Sequence, residues 1–278
     1  MRVLVTGANG YLGTGIVNEL IDHGHAVYAT DYVLDRVNGS AKKIQADLFE
    51  VDDPYNYFQQ PEVLLHLAWQ DGFKHDSVKH IENLPKHYKF LMDMIQAGIG
   101  QVCVMGSMHE AGFVEGCINE ATPTNPLSLY GISKNALRQS IELSSREYSF
   151  VFQWIRGFYI VGNTRMGCSI FSKITQAEER KDKLFPFTTG ENQYDFISYE
   201  NFCEQVVAVI EQTEIQGIIN CCSGKPQKLS ERVERFIREE GYKIKLEYGA
   251  FQDRPYDSKA VWGDDKKIQS ILENRNCE

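Results

Sequence analysis

The chain has 278 residues, 42% hydrophobic and 24% charged, a composition that excludes disordered and fibrous classes and fits an ordinary globular protein. With 29 basic against 38 acidic residues its net charge is −9, which works against nucleic acid or an anionic membrane as a partner. No apolar run is long enough to span a bilayer, and the apolar residues before the first glycines are too few for a secretory signal, so a cytoplasmic location is expected.

Residues 1–6 form an apolar, β-branched run that breaks at Gly7, Gly10 and Gly13, after which Ile16, Val17, Leu20 and Ile21 recur at helical spacing. The pattern reads as strand, tight turn, helix. A second strand over 25–30 ends at Asp31. Further strands are expected over 43–45, 63–67, 102–105, 152–156 and 217–220, with helices near 80–97, 131–147 and 200–213. Strands alternating with helices define an α/β fold, a Rossmann-type doubly wound parallel sheet. The rhythm fails over 162–195 and 242–262, where aromatics, Gly, Pro and charges mix. These stretches are expected to form a smaller, discontinuous C-terminal substrate lobe. The division is then a dinucleotide-binding domain over 1–161, with 200–222 returning to it, and a substrate-binding lobe made of 162–199 and 223–278. Seven cysteines (103, 117, 168, 203, 221, 222 and 277) include no Cys-x-x-Cys pair, so neither a disulfide framework nor a metal site is expected.

The turn containing Gly7, Asn9, Gly10, Tyr11, Leu12 and Gly13 is the first candidate site. Glycines where a strand becomes a helix let bare backbone approach a pyrophosphate at the positive end of the helix. Asp31, at the end of the next strand, can accept hydrogen bonds from an adenosine ribose and would repel a 2′-phosphate. NAD(H) is therefore favoured, while Arg36 nearby leaves NADP(H) open. Tyr130 and Lys134 lie one helical turn apart on one face, so that a lysine cation can stabilise a phenolate whose ordinary pKa near ~10 makes it a poor proton carrier. Ser107 ends a strand and is followed by His109 and Glu110, which in isolation read equally well as a polar loop tip.

These residues resemble the extended short-chain dehydrogenase/reductase family, specifically its nucleotide-sugar epimerases, dehydratases and reductases. The matching motifs are Gly-x-x-Gly-x-x-Gly at 7, 10 and 13, Asp31, Asp47-Leu48, His66-Leu67-Ala68, Asn83, Ser107, Tyr130 with Lys134, the segment 156–162 and Arg254-Pro255. The resemblance implies that Asp47, Leu48, Leu67, Ala68 and Asn83 join the glycine turn, Tyr130 and Lys134 in holding the cofactor. It implies that Tyr130 exchanges a proton with a sugar oxygen, that Ser107 orients that oxygen, and that Lys134 lowers the Tyr130 pKa and binds the nicotinamide ribose. Met108, His109, Tyr159, Arg165 and Arg254 become substrate-facing candidates, with Arg254 on the diphosphate and His109 as a second proton-moving group.

Met108 and His109 stand where the family's dehydratases carry an acid pair, which argues against dehydration. Tyr159 and Tyr194 replace an Asn and an Arg common in 4-epimerases. The reading that follows is NAD(P)H-dependent reduction of the 4-keto group of a nucleotide-activated deoxysugar, most closely dTDP-4-dehydro-6-deoxyglucose to dTDP-fucose. A nucleotide-sugar 4-epimerase and a non-catalytic dinucleotide sensor remain as alternatives. The resemblance also implies a homodimer paired through the apolar stripes of 85–97 and 131–147.

Overall fold

The computed structural model describes residues 1–252 and 258–275. Strand β1 (Arg2–Thr6) is buried on both faces from Val3 onward, as the apolar run requires, and is followed by α1 (Gly13–Asp22), which buries Ile16, Val17 and Leu20. Then come β2 (Ala26–Asp31), β3 (Lys42–Gln45), the short α2 (Pro54–Tyr57), β4 (Val63–His66), α3 (Lys79–Gln96) and β5 (Gln101–Ser107). The middle of the chain supplies β6 (Gly116–Ile118), α4 (Leu129–Ser144), β7 (Val151–Gly157), β8 (Tyr159–Val161), α5 (Ile170–Glu179), β9 (Leu184–Pro186) and β10 (Gln193–Ser198). The last elements are α6 (Tyr199–Ile210), β11 (Gly217–Cys221), β12 (Pro226–Lys228), α7 (Leu229–Glu239), β13 (Lys245–Glu247), β14 (Ala260–Gly263) and α8 (Lys266–Arg275).

Seven strands form one parallel sheet in the order β11-β7-β5-β4-β1-β2-β3. One face packs through Val5 and Ile155 onto Ile16 and Leu20 of α1 and Phe202, Val206 and Ile268 of α6 and α8. The other packs through Leu4, Leu64, Val104 and Trp154 onto Phe90, Leu91, Leu137 and Ile141 of α3 and α4. Strand order runs outward in opposite directions from β1 and β4. The crevice of a doubly wound sheet opens at that reversal, beyond the carboxyl ends of β1 and β4, and here those ends are Thr6 and His66.

A second sheet takes the path β12-β10-β14-β6, with β8 also pairing β10, and β9 pairs with β13 apart from it. An aromatic core of Phe158, Phe171, Phe187, Phe196 and Phe236 fills this smaller lobe. Its composition is wider than the expected segments, because β6 and β8 come from before residue 162. Asp195 of β10 ties the sheets together: fully buried, it accepts hydrogen bonds from the backbone N–H groups of Ser223, Gly224 and Gly263 and from the Ser223 hydroxyl. Cys103, Cys203, Cys221 and Cys222 are buried, whereas Cys117 and Cys168 are exposed. Among the described residues no helix is long and apolar enough to cross a membrane.

Candidate active site

The glycine turn is shaped by contact distances that only hydrogen satisfies. A Cβ on Gly7, whose φ is +69°, would lie 2.7 Å from the backbone nitrogen of Ala68, and one on Gly13 would lie 2.3 Å from the Gly7 carbonyl oxygen. Strand β4 thus approaches β1, and α1 folds back on the turn, because both side chains are missing. No side chain caps the start of α1 and its first turn carries no acid. Bare helix-terminal N–H groups beside a Cβ-free turn suit a pyrophosphate, so the residues present fit a dinucleotide. Tyr199 braces the turn from α6: its hydroxyl accepts from the Gly15 N–H at 3.0 Å and donates to the Tyr11 carbonyl at 2.6 Å.

Asp31 is locked beside this turn, accepting from the Asn9 N–H at 3.0 Å and the Tyr32 N–H at 2.8 Å. The Arg36 guanidinium donates to the Asn9 carbonyl at 2.8 Å, so it serves the loop and does not neutralise Asp31. Replacing Asp31 with Ala is therefore expected to narrow the preference for NADH over NADPH by about tenfold, since one close charge repulsion of the 2′-phosphate disappears. The ratio of the two dissociation constants measures it; an unchanged ratio would place the discrimination elsewhere.

Asp47 lies beyond Tyr32, whose hydroxyl it accepts at 3.3 Å, and caps a single 3₁₀ turn through the Phe49 N–H. Leu48 points into the core. Leu67 is partly buried, and Ala68 donates its N–H to the Thr6 hydroxyl. Asn83 is buried in the first turns of α3 and donates to Gln70.

The candidate proton-handling residues meet at the carboxyl end of β5. Ser107 ends that strand and caps the 3₁₀ turn Met108–Glu110, while Tyr130 and Lys134 project from the first turns of α4. Burial pushes the Tyr130 phenol up to about 12, and a hydrogen bond from the Ser107 hydroxyl pulls it back part of the way. The expected lowering by Lys134 is not what the geometry gives. Its amine, fully buried, donates to the Met105 carbonyl at 2.6 Å and sits 3.8 Å from the Trp69 ring centre, against 6.0 Å from that of Tyr130. Burial holds that amine down to about 7, with Glu110 acting in the opposite sense.

Glu110 answers why Ser, His and Glu stand together. It is fully buried and accepts from the Ser107 N–H at 2.6 Å, from the Trp154 indole at 2.9 and 3.0 Å, and from Arg156 at 3.3 Å. Its work is structural: a capping box that fixes the Ser107 backbone. His109 faces the phenol, its ring centre 6.2 Å from that of Tyr130, and burial holds it down to about 4, so it is a neutral imidazole.

Sequence reading missed the other rings here. His75 stacks on Tyr130 at 5.1 Å and takes the Tyr130 N–H on its carbonyl at 2.8 Å; His80 meets the same phenol edge-on at 5.3 Å; Trp69 stacks on His87 at 4.4 Å. The one available signal was numerical, since five of the seven histidines (66, 75, 80, 87 and 109) lie in this region. Of the remaining substrate candidates, Tyr159 stacks on Tyr194 at 4.5 Å and Met108 is buried in the small-lobe core. Arg165 is 88% exposed and pairs with Glu179 on the surface, so it is not brought to the cleft, and Arg254 lies outside the described residues.

A dinucleotide turn and a Tyr-x-x-x-Lys pair with a strand-end Ser on a doubly wound sheet define an NAD-dependent oxidoreductase of the short-chain dehydrogenase/reductase type. The chain belongs to the NAD dependent epimerase/dehydratase family, whose model matches residues 3–222. It is 42% identical over 269 residues to dTDP-6-deoxy-L-talose 4-dehydrogenase (NAD(+)) of Aggregatibacter actinomycetemcomitans, covering 95% of this chain and 99% of that one. Among solved structures it resembles a UDP-N-acetylglucosamine 4-epimerase from Methanobrevibacter ruminantium M1 in complex with UDP-N-acetylmuramic acid, with TM-score 0.85, 20% identity, and coverage of 97% of this chain and 91% of that one. It also resembles MoeE5 in complex with UDP-glucose and NAD, with TM-score 0.83, 22% identity, and coverage of 98% and 92%. At those identities the structural likeness speaks for the fold.

Proposed function

We propose that the chain oxidises and reduces C4 of a dTDP-activated 6-deoxyhexose with NAD(H), interconverting a 4-hydroxyl and a 4-keto group. The observation that carries the chemistry is the placement of Ser107, at the carboxyl end of β5, beside the buried Tyr130 phenol of α4, whose pKa it lowers. The 42% identical relative, whose name states a dTDP-6-deoxy-L-talose substrate, supports the sugar and its carrier. That substrate shares its reacting carbon and nucleotide with the dTDP-fucose expected from sequence, and it takes precedence as the first to test.

Nicotinamide bound in the crevice supplies the two-electron acceptor or donor at C4. Tyr130 takes the proton from the sugar O4 on oxidation and returns it on reduction. The Ser107 hydroxyl bonds the same oxygen and fixes its approach. Lys134 holds the nicotinamide ribose, and the glycine turn, Asp31 and Asp47 hold the rest of the dinucleotide. Neutral His109 contributes a hydrogen bond to a sugar hydroxyl. The exposed Ile81 and Tyr88 of α3 and Ile132 and Leu143 of α4 support a homodimer through these adjacent helices.

Incubation with dTDP-6-deoxy-L-talose and NAD+ is expected to raise absorbance at the NADH band stoichiometrically with loss of the sugar. Redox-neutral conversion into a second sugar nucleotide would show a 4-epimerase. Cofactor binding without turnover of any sugar nucleotide would show a sensor.

A further inference from the structure

We propose that Trp69 is a positioning residue for Lys134, its indole face fixing where the lysine ammonium sits in the crevice. The inference rests on the Tyr130–Lys134 reading of the site and extends it to a residue outside the motifs. Lys134 Nζ lies 3.8 Å from the Trp69 ring centre, well inside the range over which a cation is attracted to an aromatic face. Its second tether is the Met105 carbonyl at 2.6 Å. Between them these contacts fix the amine at the wall of β5, away from the centre of the phenol ring.

The indole is itself immobilised. Its Nε1–H donates to His80 Nδ1 at 3.0 Å, which leaves His80 Nε2 carrying the proton that it donates to the Lys74 carbonyl at 2.9 Å. His87 stacks on the indole at 4.4 Å and 13°, and His87 is hydrogen-bonded to His66, which is hydrogen-bonded to Thr6. Strand ends of β1 and β4 and the face of α3 thus converge on one ring. Burial holds His66 down to about 3 and His87 well below its ordinary value, so both are neutral and do not compete with the ammonium for the ring. The groups that face Lys134 are accordingly Tyr130 of its own helix, neutral His66 and His87 of β4 and α3, and the Glu110 carboxylate from the turn after β5. In a site this dry an aromatic face is a material part of what keeps the amine protonated.

Trp69→Leu removes the face; Trp69→Phe keeps a face and loses only the bond to His80. Trp69→Leu is expected to lower kcat by about tenfold and to move the acidic group of the pH profile downward, while Trp69→Phe stays within about threefold of the parent enzyme. A direct readout needs neither substrate nor cofactor. Subtracting the emission of Trp69→Phe from that of the parent protein isolates the Trp69 signal, which is expected to change with pH around neutrality and to lose that change in Lys134→Met. A Trp69 emission indifferent to both pH and Lys134→Met would overturn the proposal, as would Trp69→Leu with an unaltered pH profile. Because the emission test is independent of turnover, its failure is distinct from failure of the sugar assignment.

Discussion

Tyr130→Phe is expected to reduce turnover by about a thousandfold or more while leaving the dissociation constant for NADH within about twofold of the parent value. General acid–base groups contribute about 10²–10⁴ in rate, and the rings packed around Tyr130 are poorly suited to take over. The nearest titratable rings, His75, His80 and His109, meet Tyr130 through stacked or edge contacts. His75 and His109 are both held below the ordinary imidazole range by burial, which leaves them as weak bases. The substitution keeps the ring, so its packing against His75 survives and the cofactor side of the crevice is undisturbed. Because burial raises the phenol, the protonated form dominates at neutral pH. Reduction of a ketone then finds its proton donor ready, whereas oxidation is expected to accelerate as pH rises. Steady-state kinetics in both directions, with calorimetric titration of NADH, checks the result. Turnover that survives Tyr130→Phe would place the proton donor on another residue.

Glu110→Ala is expected to be the most destabilising single change near the site, costing about 3–5 kcal/mol in urea unfolding, the range for breaking a buried ion pair by removing one partner. Arg156 and Glu110 both have no exposed side-chain surface, and Arg156 Nη2 lies 3.3 Å from the carboxylate. With the carboxylate gone, the guanidinium stays buried without its counter-charge, the Trp154 indole N–H loses both acceptors, and the Ser107 N–H loses its partner. A neutral Glu110→Gln keeps an acceptor for Trp154 and Ser107 and is expected to cost less than the alanine variant. If both variants unfold like the parent, the network contributes nothing to stability, and the buried carboxylate would need a role in the chemistry instead.

The doubly wound sheet was legible because its central strands announce themselves as apolar runs buried on both faces, and its helices as amphipathic stripes. All of residues 1–6, 25–30 and 102–105 except Met1 and His25 fall in strands of the parallel sheet, as expected. The motif residues were legible for a related reason: a phosphate turn demands missing side chains at fixed spacing, and Tyr130 with Lys134 demands one helical turn. The small lobe was harder to delimit. Strands of three residues such as Gly116–Ile118 and Tyr159–Val161 carry too short a period to be read, and their partners in β10 and β14 lie far along the chain.

By itself the sequence determined the glycine turn, the acid after β2 and the Tyr-Lys pair, since these follow from local chain geometry. Only the tertiary structure decided what those groups do to one another. Burial, which no local pattern records, raises the Tyr130 phenol and makes His109 a neutral ring. Long-range packing turns Glu110 from a residue that reads as a polar loop tip into the anchor of Arg156, and sets the Lys134 ammonium over Trp69, a residue 65 positions away that no motif marks. Electrostatic roles depend on desolvation and on partners brought in from other strands, and both exist only once the chain has folded.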